Sequence, residues 1–431
     1  MARPEQPDKQ MFDVLKTSWA LLLGMMLLMV GNGLQGTLLG IRGAIEGFST
    51  FEMSIVMAAY FAGFFGGSRL TPELIRRVGH VRVFAALGSF ISAVLILYPA
   101  VADPWAWAVL RVIIGFCFSG VYVTAESWLN NAASNENRGK SLSLYLIVQM
   151  IGIVAAQGIL VLGDPSGFVL FVIPSVLVSI SFAPILLSVN PTPAFDTAKP
   201  MTLRQLYTVS PLGCVGIFIL GGVFSAQFGM GAVYATQAGL SVGQISVFIS
   251  SFYIGALIFQ YPIGWVSDRM DRRALIMIVA GVGAVASFAG VLFGSVYVLL
   301  LGVAFVVGGM SNPLYSLLIA YANDFLEPED MPSASGGLIF INGMGAIAGP
   351  LITGWIMQQA GPGGFWLFMA LLLLSLTIYA LYRMTQRPST PISDTSAYIG
   401  VSPTISAMGL EAAHEWASEQ DEHAENETGI A

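Results

Sequence analysis

Gly264-Trp265-Val266-Ser267-Asp268-Arg269-Met270-Asp271-Arg272-Arg273 marks the place where a long apolar run stops and charges of both signs crowd together before the next apolar run begins. Two apolar runs of bilayer-spanning length joined by a short charged link read as membrane helices making a tight turn at the surface. Glycine at the end of the first run lets two helices approach closely, and aspartate followed by arginines suits a loop held by ion pairs beside an anionic leaflet. An earlier stretch, from Gly66-Gly67-Ser68-Arg69-Leu70 to Arg76-Arg77-Val78-Gly79-His80-Val81-Arg82, reads as a stretched second copy. It keeps an Arg-Arg pair and Gly79, lacks the aspartate, and is interrupted by Pro72 and Glu73. Each stretch taken alone is also satisfied by a basic loop beside the membrane.

The composition agrees. Of 431 residues 55% are hydrophobic and 10% charged, far from the mixture of a soluble domain, so the chain is an integral membrane protein. Its net charge of −7 misleads, because Asp394, Glu411, Glu415, Glu419, Asp421, Glu422, Glu425 and Glu427 crowd into the end of the chain and leave the remainder basic. Cys117 and Cys214 lie inside apolar runs, with no spacing suited to a metal or a disulfide framework. The start, Met1 to Ser18, is polar, and no cleavage pattern follows the first apolar run, so that run is expected to be its own insertion signal.

With about twenty apolar residues needed per crossing, twelve spans are expected, near 19–41, 52–71, 83–102, 104–130, 141–162, 167–189, 211–238, 242–266, 274–294, 296–322, 335–358 and 363–385. The polar stretch 190–210 divides them into a bundle over 19–189 and a bundle over 211–385, with a cytoplasmic segment 1–18 before them. Most Lys and Arg residues fall on one side of this arrangement, Arg42 and Arg111 excepted, which puts both termini in the cytoplasm. The tail 386–431 is expected to be acidic, disordered and cytoplasmic, although Ile405 to Trp416 could form a transient helix that docks.

The 264–273 stretch resembles the signature loop of the major facilitator superfamily, Gly-x-x-x-Asp-Arg-x-Gly-Arg-Arg, with Asp271 in place of the second glycine. It joins the eighth and ninth apolar runs, where that family carries its second copy. The resemblance covers roughly 15–385 and implies an all-α membrane fold of twelve helices in two pseudo-symmetric six-helix bundles. It also implies that Gly264, Asp268, Arg269, Arg272 and Arg273, with Arg76, Arg77 and Arg138, form a conformational latch. Thr124-Ala125-Glu126-Ser127-Trp128-Leu129-Asn130, followed by Asn137-Arg138-Gly139-Lys140, looks like the YcaD-like branch of that superfamily.

The fourth run carries Arg111 and Glu126, about 22 Å apart along a helix and so unable to pair with each other. An arginine at membrane depth must face protein or water, which makes Arg111 a functional candidate beside the alternative of a structural arginine bonded to carbonyls. With its following glycines it resembles the fourth-helix motif of proton-coupled facilitators, although the step to Gly120 is one residue longer. Glu126 is either a cavity carboxylate that carries a proton or binds solute, or the partner of Arg76 and Arg77 in the latch. Its place near the cytoplasmic end favours the latch. Asn32, Gln35, Gln149, Gln157, Gln227, Asn312, Tyr315 and Asn342 could line a midplane cavity or simply bond between helices. Gly345, Gly349 and Pro350 on the eleventh run suit a hinge; similar Gly-Pro motifs of drug/proton antiporters lie on the fifth helix, which has no proline between Gly152 and Gly158 here.

No phosphate-binding loop, metal-ligand cluster or nucleophile with a histidine partner is present in the sequence, so an ATP-driven pump or an enzyme is not expected. The expected function is secondary active transport of a small organic solute in the inner membrane, coupled to protons, by a monomer that takes no cofactor and no nucleic acid. The alternatives are an uncoupled facilitator and a receptor or assembly factor that kept the fold and acts through its tail.

Overall fold

The computed structural model describes residues 7–132, 138–187, 201–326, 330–386, 391, 395 and 398–413. Every regular element among them is helical: α1 (Pro7–Ile45), α2 (Thr50–Val78), α3 (His80–Ala100), α4 (Pro104–Ala132), α5 (Arg138–Leu160), α6 (Val169–Leu187), α7 (Leu203–Val209), α8 (Pro211–Ser225), α9 (Gly231–Gln237), α10 (Val242–Ser267), α11 (Arg272–Phe293), α12 (Tyr297–Asn323), α13 (Met331–Ala360) and α14 (Gly364–Gln386). A π-helical turn, Ala226–Met230, joins α8 to α9, making one span of Pro211–Gln237. Among the described residues eleven helices are long and apolar enough to cross a membrane, and Val169–Pro184 is a shorter apolar helix. Large apolar side chains such as Leu162, Val285, Val298 and Phe288 point outward, a surface that lipid stabilises and water does not.

Helix starts follow local chemistry. Ser49 with Glu52, Thr202 with Gln205 and Ser241 with Gln244 each form a reciprocal capping box that satisfies orphan N–H groups of α2, α7 and α10. The stretch 66–82 is not the extended basic loop expected of it. Helix α2 continues through Pro72 to Val78, with Thr71 and Ile75 buried, and the chain turns on Gly79 alone, whose φ of 86° a residue with a Cβ adopts at a cost.

In the first half of the chain α1 packs on α5 and α6, α2 on α4, and α3 on α4 and α6. In the second half α8 packs on α13 and α14, α10 on α12, and α11 on α12 and α14. Each pairing thus recurs in order. The small residues recur too: a Cβ at Gly63 or Gly115 would strike the backbone carbonyl of Val112 or Tyr60 between α2 and α4, and one at Gly255 or Gly308 would strike that of Phe305 or Phe252 between α10 and α12. The halves meet where α2 faces α13, α5 faces α10, and α1 faces α9.

After α14 the chain turns back. Residues 398–413 enter between the halves from the end of the bundle that bears Arg76, Arg77, Arg269 and Arg273, called the basic end below, and finish in the helix 407–413. Val401, Ile405, Leu410, Ala412 and Ala413 are buried there, against the expectation of a solvated tail. The reason is compositional: Tyr398 to Leu410 contains no charged residue, and the acidic residues that dominate the tail's average lie mainly after it. Residues 414–431 lie outside the described residues.

Candidate functional site

Between the halves lies a cavity of about 90 Å³ walled by α1, α2, α4, α5, the π turn, α10 and α12. Of the residues expected there, Asn32, Gln35, Arg111, Gln149 and Asn312 are brought together, joined by Tyr60, Tyr122 and Tyr253. Arg111 is buried on α4. Its Nη1 donates to Gln35 Oε1 at 3.0 Å, its Nη2 reaches Met57 Sδ at 3.2 Å, and its guanidinium lies 4.6 Å from the centre of the Tyr60 ring. Nε has no partner among the described residues, and none of these contacts is a carboxylate. Asn32 extends the network, its Oδ1 accepting from Gln35 Nε2 at 3.1 Å and from the Tyr60 hydroxyl at 3.3 Å, and its Nδ2 donating to the Tyr122 hydroxyl at 3.4 Å. The result is one fixed cation in a wall of amides and phenols.

The other expected cavity residues lie elsewhere. Gln227 and Ser311 bond to each other between the π turn and α12. Gln157 sits where α5 meets α10, donating to the Gly33 carbonyl while its own carbonyl accepts from Ser246. Tyr315 is fully buried away from the cavity, its hydroxyl without a partner among the described residues. At the end opposite the basic one, Gln237 donates to Thr50 and Gly354 packs on Ser54, so the halves are shut against each other there.

At the basic end the returning tail stands between them. Ser402 and Thr404 form part of the cavity wall. Tyr398 donates its N–H to Asp268 Oδ1 at 3.2 Å, and its hydroxyl accepts from Gln260 at 3.0 Å. The Ser316 hydroxyl bonds both the N–H and the carbonyl of Val401, Asn342 donates to the Pro403 carbonyl at 3.0 Å, and Glu126 Oε2 accepts the Ser406 N–H at 2.8 Å. Glu126 Oε1 accepts from the Tyr145 hydroxyl at 3.2 Å. Glu126, expected to serve proton, solute or latch, and Asn342, expected to line the cavity or bond between helices, both bond the tail.

The residues expected to form a latch fall into separate groups of contacts. Arg76 and Arg77 are exposed and pair with Glu73 on their own helix, so they do not meet Glu126. Arg272 makes a buried ion pair with Asp324 at the end of α12 and lies 3.8 Å from Asp268. Arg273 pairs with Asp271, which caps α11 by accepting the Arg273 N–H at 2.9 Å, with an ordinary negative φ of −54°. Asp271 thus replaces the family's glycine with a cap. Burial pushes its carboxyl up, but the bonds from Arg273 outweigh this and hold it below the usual aspartate range, whereas burial holds Asp268 above it. Arg269 folds over Trp265, 4.2 Å from its ring centre. Gly264 lies against the Tyr398 ring, where a Cβ would come within 2.5 Å. Arg138 opens α5, and its side chain lies outside what is described. Helix α13 runs unbroken through Pro350, and Gly345 and Gly349 press against the backbone of α8, which makes them close-packing positions within one half.

The Major Facilitator Superfamily model matches residues 21–241 and again 212–408. The chain belongs to the major facilitator superfamily. It is similar to the MFS-type transporters YfkF of Bacillus subtilis, 27% identical over 70% of this chain and 78% of that one, and YcaD of Salmonella arizonae, 24% identical over 86% and 96%. The branch expected from Thr124 to Lys140 is thus supported. Among solved structures the nucleoside transporter NupG superposes with a TM-score of 0.69 at 16% identity, covering 87% of this chain and 99% of that one. A bacterial homologue of the lysosomal transporter Spinster, in an inward-facing and unoccupied conformation, gives 0.66 at 12%, covering 97% and 99%. These likenesses carry the fold.

Sequence reasoning about this facilitator missed Tyr60, Tyr122, Gln260, Ser316 and Asp324. Phenols inside apolar runs were a usable signal, and so was Asp324, an acid just past the tenth run at the level of the 264–273 loop. Ser316 and Gln260 had none, because their partner lies in the tail.

Proposed function

We propose that this facilitator carries a small organic solute across the membrane by alternating access, through twelve spans in two pseudo-symmetric groups, with the basic end and both termini in the cytoplasm. The cavity walled by both halves, with Arg111 as its fixed cation, carries this reading. The recurring helix pairings and glycine contacts support a pair of bundles that rock as units, and the shut end opposite the tail supports a solute path that opens at the basic end. Arg111 stays charged at any working pH, so it attracts an anionic or strongly accepting group of the solute and releases no proton itself. Coupling to protons is assigned to Glu126, a buried carboxylate on the same helix that would meet water from the basic end once its tail contacts are released. A second reading, uncoupled transport, is favoured by the partners of Arg111, none of which is a titrating carboxylate.

A thermal-shift screen of purified protein against carboxylates, nucleosides and other small metabolites tests the reading, since a ligand of the folded state raises apparent stability. Expected are ligands whose shift disappears in Arg111→Gln, and whose uptake into proteoliposomes follows a pH gradient. Uptake indifferent to the gradient would select the uncoupled form. Absence of any Arg111-dependent ligand or flux would end the proposal.

A further inference from the structure

A facilitator must open its cavity to one side at a time, yet here the route from the basic end is filled by the protein's own chain. Ser402 and Thr404 line the space that also holds Arg111 and Asn32, and about 90 Å³ remains, below the few hundred Å³ of a small-molecule site. The tail is received by built contacts on both halves: Glu126 on α4 of the first, and Gln260, Ser316 and Asn342 on α10, α12 and α13 of the second. Pro403, Thr404 and Ile405 also pack beside Phe61, Phe65 and Phe224. Buried backbone groups need such partners, and the N–H of Val401 and Ser406 and the carbonyls of Val401 and Pro403 all have one. Two glycines fit the segment to its seat: a Cβ at Gly409 would come within 2.5 Å of Glu126 Oε2, and one at Gly400 within 2.6 Å of the Gln260 side chain.

From this we infer that residues 398–413 are a detachable autoinhibitory plug, which closes the basic-end route to the cavity and ties the two halves together until it leaves. The inference rests on taking the cavity as the solute path. A docked tail excludes solute by volume, and it blocks rocking because its contacts span both halves. Glu126 and Asn342 then serve first as the plug's anchors. The part of the segment that enters the cavity, Tyr398 to Leu410, carries no charge of its own, so on leaving it uncovers the Glu126 carboxyl without withdrawing a counter-charge from it. Beside it, a cleft of about 550 Å³ between α5 and α10, bordered by Leu146, Met150, Gln260 and Tyr261, offers a lateral route along which Tyr398 and Gly400 already lie.

Access to the cavity can be read without knowing the solute. The full-length protein carries Ile153→Cys in the cavity wall, with Cys117→Ala and Cys214→Ala, and its reaction with a small maleimide is timed in detergent. Two tail variants are compared with it: Gly409→Leu, and the pair Ile405→Asp with Leu410→Asp, which puts carboxylates where side chains are 7% and 0% exposed. Labelling is expected to be slow in the parent and about tenfold or more faster in both variants, with a melting temperature that still reports a folded bundle. Equal labelling rates would overturn the plug, and so would tail variants that cannot fold, because the segment would then be a permanent part of the core. Faster labelling without flux of any Arg111-dependent ligand would uphold the plug and count against the transport reading, so the two fail separately.

Discussion

Glu126 on α4 accepts the backbone N–H of Ser406 at 2.8 Å across 280 positions of chain. A hydrogen bond to a buried carboxylate contributes about 1.5–3 kcal/mol, enough to change local opening by an order of magnitude. Glu126→Ala should therefore lower hydrogen-exchange protection at Ser406 and Leu410 by about tenfold while leaving α2 and α10 unchanged. Glu126→Gln keeps one acceptor oxygen and should fall between. Unchanged protection in the alanine variant would remove Glu126 as an anchor.

Arg272 has two acids near it, and they should behave differently. Asp324 pairs with it where both side chains are 2% exposed, whereas Asp268 is 44% exposed at 3.8 Å. Breaking a buried pair leaves a charge unpaired and costs about 3–5 kcal/mol, while a solvated pair is worth about 1 kcal/mol or less. Asp324→Asn should thus collapse the melting temperature or the yield. Asp268→Asn should barely move either, and its effect should appear as looser packing of Tyr398, read by fluorescence quenching or exchange. Equal losses in the two variants would contradict the assignment.

Asp271 caps α11, and its removal should be felt there. Replacing such a cap by alanine costs about 1 kcal/mol. Because Arg273 holds the folded-state carboxyl below its ordinary value, the unfolded chain binds the proton more readily, so the contribution is complete at neutral pH. It fades as pH falls below about 4. Thermal melts of Asp271→Ala and the parent should converge over that range, and a gap independent of pH would assign the effect to something other than the carboxylate.

The glycine contacts predict matched damage in the two halves. Gly63→Ala and Gly255→Ala each drive a methyl into a backbone carbonyl, which cannot swing aside, and overpacking of this kind costs about 1–3 kcal/mol. Gly302→Ala, on α12 with open space around it, should be neutral or stabilising by up to about 1 kcal/mol through helix propensity. Melting temperatures of the three decide the matter. A harmless Gly255→Ala beside a damaging Gly63→Ala would break the correspondence between halves.

Much of this was legible in the sequence, for identifiable reasons. Span positions follow from apolar length, which needs only local composition. Arg111 stood out because an arginine inside an apolar run must have a destination. The extent of α2 was missed because Pro72 and the charges after it read as a loop, while Ile75 and Thr71 give that turn a buried face no local pattern displays. Glu126 and Asn342 stood out as polar groups inside apolar runs, but their bonds to the tail were not legible: these partners are backbone groups, and backbone groups look alike in every sequence. Averaging made disorder the leading expectation for the tail, since a few uncharged turns disappear in the mean of a strongly acidic segment, although Ile405 to Trp416 could form a docking helix. The π turn at Ala226–Met230 likewise has no signature beyond Gly229.

The order of synthesis gives the returning tail another consequence. Its binding site is assembled from α4, α10, α12 and α13, all of which leave the ribosome before Tyr398 does. Throughout synthesis of α1 to α14 the cleft therefore lacks residues 398–413, which can fill it only after α14 has been made. A ribosome that stopped just beyond Gln386 would release a chain with α1 to α14 but without residues 398–413. Such a product would present Glu126, Ser316 and Asn342 without the backbone groups that satisfy them, so the order of synthesis decides when these buried groups find their partners.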